Sequence, residues 1–376
     1  MRDTIVREPV PRKNRQVAGG ISRKTISLDR KGEEHMRIGI VGAGAVGSVV
    51  GGLLARGGHD ITLIDPWPEH VEKIQRDGLI IETADQTHLT HPKAIHICDL
   101  PQVCEPFEAA FIAVKSYDTT WATALIRDYV ACPDGVFVDF QNGINDERMA
   151  SVAGKERSLG CVITIGVGCY EPGKAIRTDT YQLGFKVGEH DGTDTARARR
   201  IAEILECIAR AEVTTDLWGN RWSKLMVNCM ANALAGLSGY GTAQVRTIPE
   251  ITRLAIQLGA ETARVALALE HDLHPVAGVS PHKIIDAAEG RNVKEVLEAL
   301  RNAGSDGGEG VPSLGQDVRK KRRTEIDYLN GHVSETGRQL GIPTPFNDRI
   351  VAIVNDLGIG FASDPAHLAP LQEMLP

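Results

Sequence analysis

The chain has 376 residues, 42% hydrophobic and 24% charged, with a formal net charge of −7. That length exceeds what one hydrophobic core usually fills, so two domains are expected. The acidic balance argues against a protein devoted to nucleic acid or anionic membrane surfaces. No apolar run approaches the roughly 20 residues of a membrane helix, so a soluble, cytoplasmic protein is expected.

Residues 1–35 carry Arg12, Lys13, Arg15, Arg23, Lys24, Arg30 and Lys31 without an apolar period. They lack the apolar stretch of a secretory signal and read as a disordered extension, or as sequence upstream of a start at Met36. From Met36 the pattern alternates. "RIGIVGAG" is an apolar run ending in glycines, "AVGSVVGGLLARGG" has helical spacing, and "DITLID" is a second buried strand. "AAFIAVK", "GVFVDFQNG", "CVITIGVG" and "YQLGFKVGE" follow as strands, with helical stretches over 119–129 and 195–211. Strands alternating with helices imply a parallel, doubly wound sheet covered on both faces.

After residue 216 strand-like runs vanish. Helical periods cover 217–238, 248–271, 293–303 and 317–340, with "NAGSDGGEGVPS" (302–313) as a glycine-rich loop between the last two. The expected organisation is an extension (1–35), an α/β domain (36–215) and an all-helical domain (216–376), with a cleft between the folded pair. Apolar helices such as 248–270 offer a face for a homodimer.

Seven cysteines without a C-x-x-C pair read as small buried hydrophobes in a reducing compartment. His271 and His274 lie three residues apart, but no Cys or carboxylate cluster completes a site, and no metal is expected.

Gly42-Ala43-Gly44-Ala45-Val46-Gly47 is G-x-G-x-x-G between a strand and a helix. Gly42 permits the tight turn, Gly44 the approach of a pyrophosphate, and Gly47 close helix–strand packing, the marks of a Rossmann-type dinucleotide site. Asp65 ends the next strand, where a carboxylate accepts from ribose hydroxyls and repels a 2′-phosphate. The residues after it are Pro66, Trp67 and Pro68, so NAD(H) is favoured over NADP(H). Lys115 and Asn142 fall at the C-terminal edge of the sheet, where cleft ligands bind. "QNG" is equally a turn signal.

Lys224, Asn228 and Asn232 stand four residues apart in "RWSKLMVNCMAN" and share one helix face. An ammonium there suits the oxygen of a carbonyl under reduction, where negative charge develops. A solvated polar stripe is the plainer alternative. "RKKRR" (319–323), with Val318, Ile326 and Leu329 as helical anchors, reads as a solvated or ligand-facing surface rather than a nucleic-acid patch.

Residues 36–358 resemble the ketopantoate reductase (2-dehydropantoate 2-reductase) family. The marks are "RIGIVGAGAVGSVVGGLLA", "VKSYDT", "QNGIN", "WSKLMVNCMAN" and "SLGQDVRKKRRTEIDYLNGHVSETGRQLGIPTPFN". The resemblance implies a Rossmann-type domain followed by a helical domain of the 6-phosphogluconate dehydrogenase C-terminal-like kind. It implies that Lys224 hydrogen-bonds the keto oxygen and supplies the proton, and that Glu325 contacts the substrate hydroxyl and helps organise that lysine. Asn228, Asn232 and Ser313 match substrate contacts, while Asn142 and Lys115 match positions that meet the cofactor or close the cleft. The implied activity is NAD(P)H-dependent reduction of ketopantoate to pantoate, as in pantothenate biosynthesis. One alternative is an NADH-dependent D-2-hydroxy acid dehydrogenase acting on another branched or aromatic 2-keto acid; another is a non-catalytic NAD(P)-binding regulator.

Overall fold

In the computed structural model the described residues are 35–130, 133–179, 183–305 and 311–376. The expected disordered extension therefore lies, up to residue 34, outside the described residues. In chain order the α/β part comprises β1 (Arg37–Val41), α1 (Ala45–Arg56), β2 (Asp60–Asp65), α2 (Pro68–Asp77), β3 (Leu79–Glu82), β4 (Thr87–Thr90) and β5 (Lys93–His96). Next come β6 (Ala109–Ile112), α3 (Thr119–Ile126), β7 (Val136–Asp139), α4 (Asp146–Ala153), β8 (Ser158–Ile163), β9 (Val167–Glu171), β10 (Lys174–Arg177), β11 (Leu183–Gly188), α5 (Ala196–Leu205) and β12 (Arg210–Val213).

Eight strands form one sheet in the order β12-β11-β8-β7-β6-β1-β2-β5. β6 and β7 are buried at all four positions each, as expected for central parallel strands covered on both faces. The sheet is not wholly parallel. β11 runs antiparallel to β8, because the chain leaves β8 and makes the β9–β10 hairpin before it returns. That hairpin joins β3 and β4 in a second, four-stranded sheet, order β4-β3-β10-β9, which packs over α1.

The helical part comprises α6 (Leu217–Ser238), α7 (Thr242–Thr247), α8 (Pro249–Ala268), α9 (Pro281–Ala288), α10 (Val293–Ser305), α11 (Ser313–Arg319), α12 (Asn330–Leu340), α13 (Pro345–Leu357) and α14 (Ala369–Gln372). α6 starts where the Gly219 N–H donates to the Asp216 carboxylate and stops at Gly239, which has φ +80°. It is buried along almost its whole length, and α8 and α11 pack against it. Arg221, 2% exposed, fastens its first turn to the sheet. Its guanidinium donates to the Asp139 carboxylate (2.9 Å), the Asp146 carboxylate (2.8 Å) and the carbonyls of Gln141 (3.0 Å) and Asp139 (3.1 Å). No helix among the described residues is long and apolar enough to cross a membrane.

The single helix expected over 317–340 is broken. α11 stops at Arg319, and two residues on Lys321 has φ +53°. The Arg322 N–H donates to the Asp317 carbonyl and the Lys321 N–H to the Val318 carbonyl, the pair of bonds that defines a Schellman stop. Asp317 and Glu325 both bind one ammonium, that of Lys115, at 2.7 and 2.8 Å. Eight residues of helix would hold them about 12 Å apart along the axis, so the chain must turn for both to reach it. Of the glycine-rich loop at 302–313, residues 306–310 lie outside the described residues.

Candidate active site

The turn from β1 into α1 is built on glycine for steric reasons. Gly42 holds φ +97° with the Ala113 carbonyl 2.9 Å from where a Cβ would sit, and a Cβ on Gly47 would lie 1.9 Å from the Gly42 oxygen. At Gly44 a Cβ would meet nothing within 4 Å, and the helix end there has no side-chain cap. Free N–H groups beside open volume suit a pyrophosphate. His70 braces the turn from behind. The Gly173 N–H donates to His70 Nδ1 at 2.9 Å, so in the neutral ring Nε2 carries the proton and donates to Ser48 Oγ at 3.1 Å. The Ser48 hydroxyl in turn donates to the Ala43 carbonyl at 2.7 Å. Burial lowers the His70 pKa and keeps the ring neutral.

Asp65 ends β2 with one oxygen accepting the Ala43 N–H at 2.6 Å and the other the Trp67 N–H at 2.9 Å. With Gly42, Gly44, Ala45, Val46, Lys115 and Asn142 it lines a cavity of about 480 Å³. The helical part contributes Ser313, Gln316, Asp317, Lys320, Arg322 and Glu325 to the same cavity. Gln316 ties the two parts together by donating to the Val167 carbonyl at 3.0 Å.

Between them stands a charged network. Besides holding the Lys115 ammonium, Glu325 accepts from the Ser116 N–H at 2.9 Å and from the Ser116 hydroxyl at 2.8 Å through its other oxygen. Asn145 donates to Ser116 Oγ at 3.1 Å and to the Asn142 carbonyl at 2.9 Å. Burial works against every charge here. For Lys115 the two facing carboxylates outweigh it and raise its pKa. Lys115 and the Ser116 donors likewise hold Glu325 below the usual carboxylate range. Burial pushes Asp317 up, with the Glu325 charge adding to it. The net arrangement is an ionised Glu325 paired with a protonated Lys115.

Lys224, Asn228 and Asn232 do share one face of α6, but they stand apart from the cavity lining. The connection runs through Asn232, which donates to Ser313 Oγ at 3.2 Å. Asn228 is 5% exposed, and its Nδ2 has no hydrogen-bond acceptor among the described residues. Burial lowers the Lys224 pKa; nearby Asp179 raises it and Arg246 lowers it further. The hydrogen bonds of Glu325 run to Lys115 and Ser116, and none joins it to Lys224 among the described residues.

Sequence reasoning missed Ser116, Asn145, Asp317, His70 and Arg221. Asp317 lies just before the basic run 319–323, and its spacing from Glu325 across that run was the available signal. Ser116, Asn145 and His70 carry none, since each is an ordinary polar residue in its local sequence.

The glycine turn, the acceptor at the end of β2 and the cavity lined jointly by the sheet edge and the helical part define the class, a nicotinamide-dependent oxidoreductase. The chain belongs to the ketopantoate reductase PanE/ApbA family: the family's N-terminal model matches residues 38–192 and its C-terminal model residues 216–358. It is 28% identical to the 2-dehydropantoate 2-reductase of Pyrococcus horikoshii over 327 residues, which cover 85% of this chain and 96% of that one. It is 30% identical to the 2-dehydropantoate 2-reductase of Pyrobaculum aerophilum over 244 residues, 65% of this chain and 74% of that one. Among solved structures, the PanE/ApbA family ketopantoate reductase of Ralstonia eutropha superposes with a TM-score of 0.71 at 25% identity, covering 86% of this chain and 98% of that one. D-mandelate dehydrogenase with NADH and anilino(oxo)acetate shares the fold, with a TM-score of 0.71 at 23% identity over 85% of this chain and 98% of that one.

Proposed function

We propose that this chain reduces a small 2-keto acid with a reduced nicotinamide dinucleotide, and that the substrate is 2-dehydropantoate, giving pantoate. The reading rests chiefly on the buried Asn228 amide, whose Nδ2 donates to nothing among the described residues. It sits one turn from Lys224 and one turn from the Asn232–Ser313 pair. A buried donor without an acceptor costs roughly 1–3 kcal/mol, which a ligand oxygen at that place would offset. The names carried by the Pyrococcus and Pyrobaculum relatives support the choice of keto acid.

The residues present fit the cofactor. Gly44 leaves room for a pyrophosphate, α1 offers it free N–H groups, and Asp65 presents a fixed carboxylate to a ribose. When bound, the reduced nicotinamide supplies the hydride. Lys224 hydrogen-bonds the keto oxygen and gives up its proton as charge develops there; a lowered pKa suits a donor that must release it. Asn228 and Asn232 hold the substrate on the α6 face and Ser313 takes its carboxylate. Glu325, fixed by Lys115 and Ser116, receives the substrate hydroxyl on the cleft side, and Asn142 and Lys115 close the cleft over the cofactor.

A second reading has its own support. Asp65 taken alone favours NADH, which fits a D-2-hydroxy acid dehydrogenase acting on another branched or aromatic 2-keto acid. The deciding experiment measures absorbance at 340 nm with NADH or NADPH against 2-dehydropantoate, phenylglyoxylate and branched 2-keto acids. Fastest oxidation with 2-dehydropantoate supports the first reading, whereas a preference for another keto acid transfers the mechanism to the second. Lys224→Ala should lower kcat by at least about 100-fold, the scale of a general acid. Near-normal turnover in that variant would remove Lys224 from the chemistry.

A further inference from the structure

The preference drawn from Asp65 takes account only of Pro66, Trp67 and Pro68, its neighbours in the chain. In the folded chain the opposite wall of the same cavity brings two cations to that end: Lys320 and Arg322 both line it, together with Asp65, Pro66 and Trp67. The Arg322 guanidinium carbon stands 5.7 Å from the Trp67 ring centroid. The Trp67 backbone N–H is in turn bonded to Asp65. The turn at Lys321 places Arg322 there, since the Schellman stop reverses the chain just after α11. A continuous helix would carry that side chain elsewhere.

Neither cation is neutralised. Lys115, deeper in the cleft, has Asp317 and Glu325. Among the described residues Arg322 and Lys320 have no ion pair. Arg322 and Asp65 do not pair with each other although they share the cavity, and the Lys320 ammonium stands over the face of Tyr170, at 4.9 Å. Asp65 is less repulsive than its charge suggests, because both oxygens already accept backbone N–H groups. Two uncompensated cations face the residue that marks the adenosine ribose, while the pyrophosphate has its own place on the glycine turn. The ligand group that fits this arrangement is a further phosphate on that ribose.

Resting on the reading of this cleft as a dinucleotide site, we propose that Arg322, with Lys320 beside it, binds the 2′-phosphate of the cofactor, so that the chain uses NADPH although an aspartate ends β2. The guanidinium fork suits a phosphate better than an ammonium does. Asp65 keeps the ribose 3′-hydroxyl. The selecting residue thus comes from the helical part of the chain, more than 250 residues from the strand end where such a residue is ordinarily sought.

The test is titration calorimetry on the full chain with adenosine 2′,5′-bisphosphate, 5′-AMP, NADPH and NADH. The first two differ by the 2′-phosphate and do not involve the catalytic half. In the wild type the bisphosphate should bind at least about tenfold tighter than 5′-AMP, and Arg322→Ala should weaken it by roughly 10- to 100-fold, the range for a charged hydrogen-bonded contact. Binding of 5′-AMP should change by less than about threefold, and Arg322→Lys should fall between wild type and alanine, since it keeps the charge and loses the fork. Equal binding of the two nucleotides by the wild type, or equal losses for both in Arg322→Ala, would overturn the proposal. Failure of the wild type to bind any of the four ligands would overturn the dinucleotide reading itself.

Discussion

Replacing Arg221 by Met tests how α6 is anchored to the sheet. The change keeps most of the aliphatic volume but removes four hydrogen bonds, two of them to carboxylates. Asp139 and Asp146 are then left facing each other at zero exposure. Breaking one side of a buried ion pair costs about 3–5 kcal/mol. Summing two charged hydrogen bonds at about 1.5–3 kcal/mol each gives a similar range. For about 340 folded residues the unfolding entropy is near 0.7 kcal/mol/K, so Tm should fall by about 4–7 °C. Thermal and urea unfolding followed by circular dichroism would measure it. The triple variant with Asp139→Asn and Asp146→Asn should recover most of the loss, because no uncompensated charge remains. A Tm drop below about 1 °C for Arg221→Met, or a triple variant no more stable than the single one, would refute the argument.

Gly44→Ala and Gly47→Ala should separate binding from folding. The first should leave Tm within a few degrees yet weaken dinucleotide binding by at least about tenfold, since its Cβ enters only the open volume proposed for the pyrophosphate. The second forces a 1.9 Å contact and should lower Tm and soluble yield as well. In the buried trio, burial and the neighbouring Asp146 push Asp139 up to about 8 against Arg221. Folding then takes up a proton between the ordinary carboxylate range and that value. This contribution to stability is greatest at low pH and is lost as pH rises toward 8, so Asp139→Asn should flatten the slope of urea midpoint against pH in that window. On the proposed role of Lys224 as proton donor, its lowered pKa implies that keto acid reduction should decline with rising pH at a point below the ordinary lysine value, a limb that Lys224→Ala should lack.

Much of this fold was legible because its signals are local. The β1 run, the glycine turn and "DITLID" each carry their own pattern, and α6 shows its face through Lys224, Asn228 and Asn232. The second sheet was not legible. β3, β4, β9 and β10 have four or five residues each, and nothing local says that β10 runs parallel to β3, nearly a hundred positions earlier. The break after α11 was hidden for a different reason. Val318 and Ile326 keep a helical phase, but the attraction of Asp317 and Glu325 for one distant ammonium overrides it. At the site, Gly42, Gly44, Asp65, Lys115, Asn142, Ser313 and Glu325, each picked out from local sequence or motif, meet around one cavity, and only tertiary contacts bring in Ser116, Asn145, His70 and Arg322. Family membership, expected from the order of the motifs, is borne out by both family models.

The stretch from Asp317 to Glu325 resembles the kind of exposed, basic loop into which protein engineers graft tags or extra residues, since surface connections usually absorb insertions. Here both ends of the stretch are moored to the same nitrogen. Its length is therefore as constrained as its charge: adding or deleting a single residue would draw one carboxylate off Lys115. Variation in this region of the chain should take the form of substitution and hardly ever of a change in length.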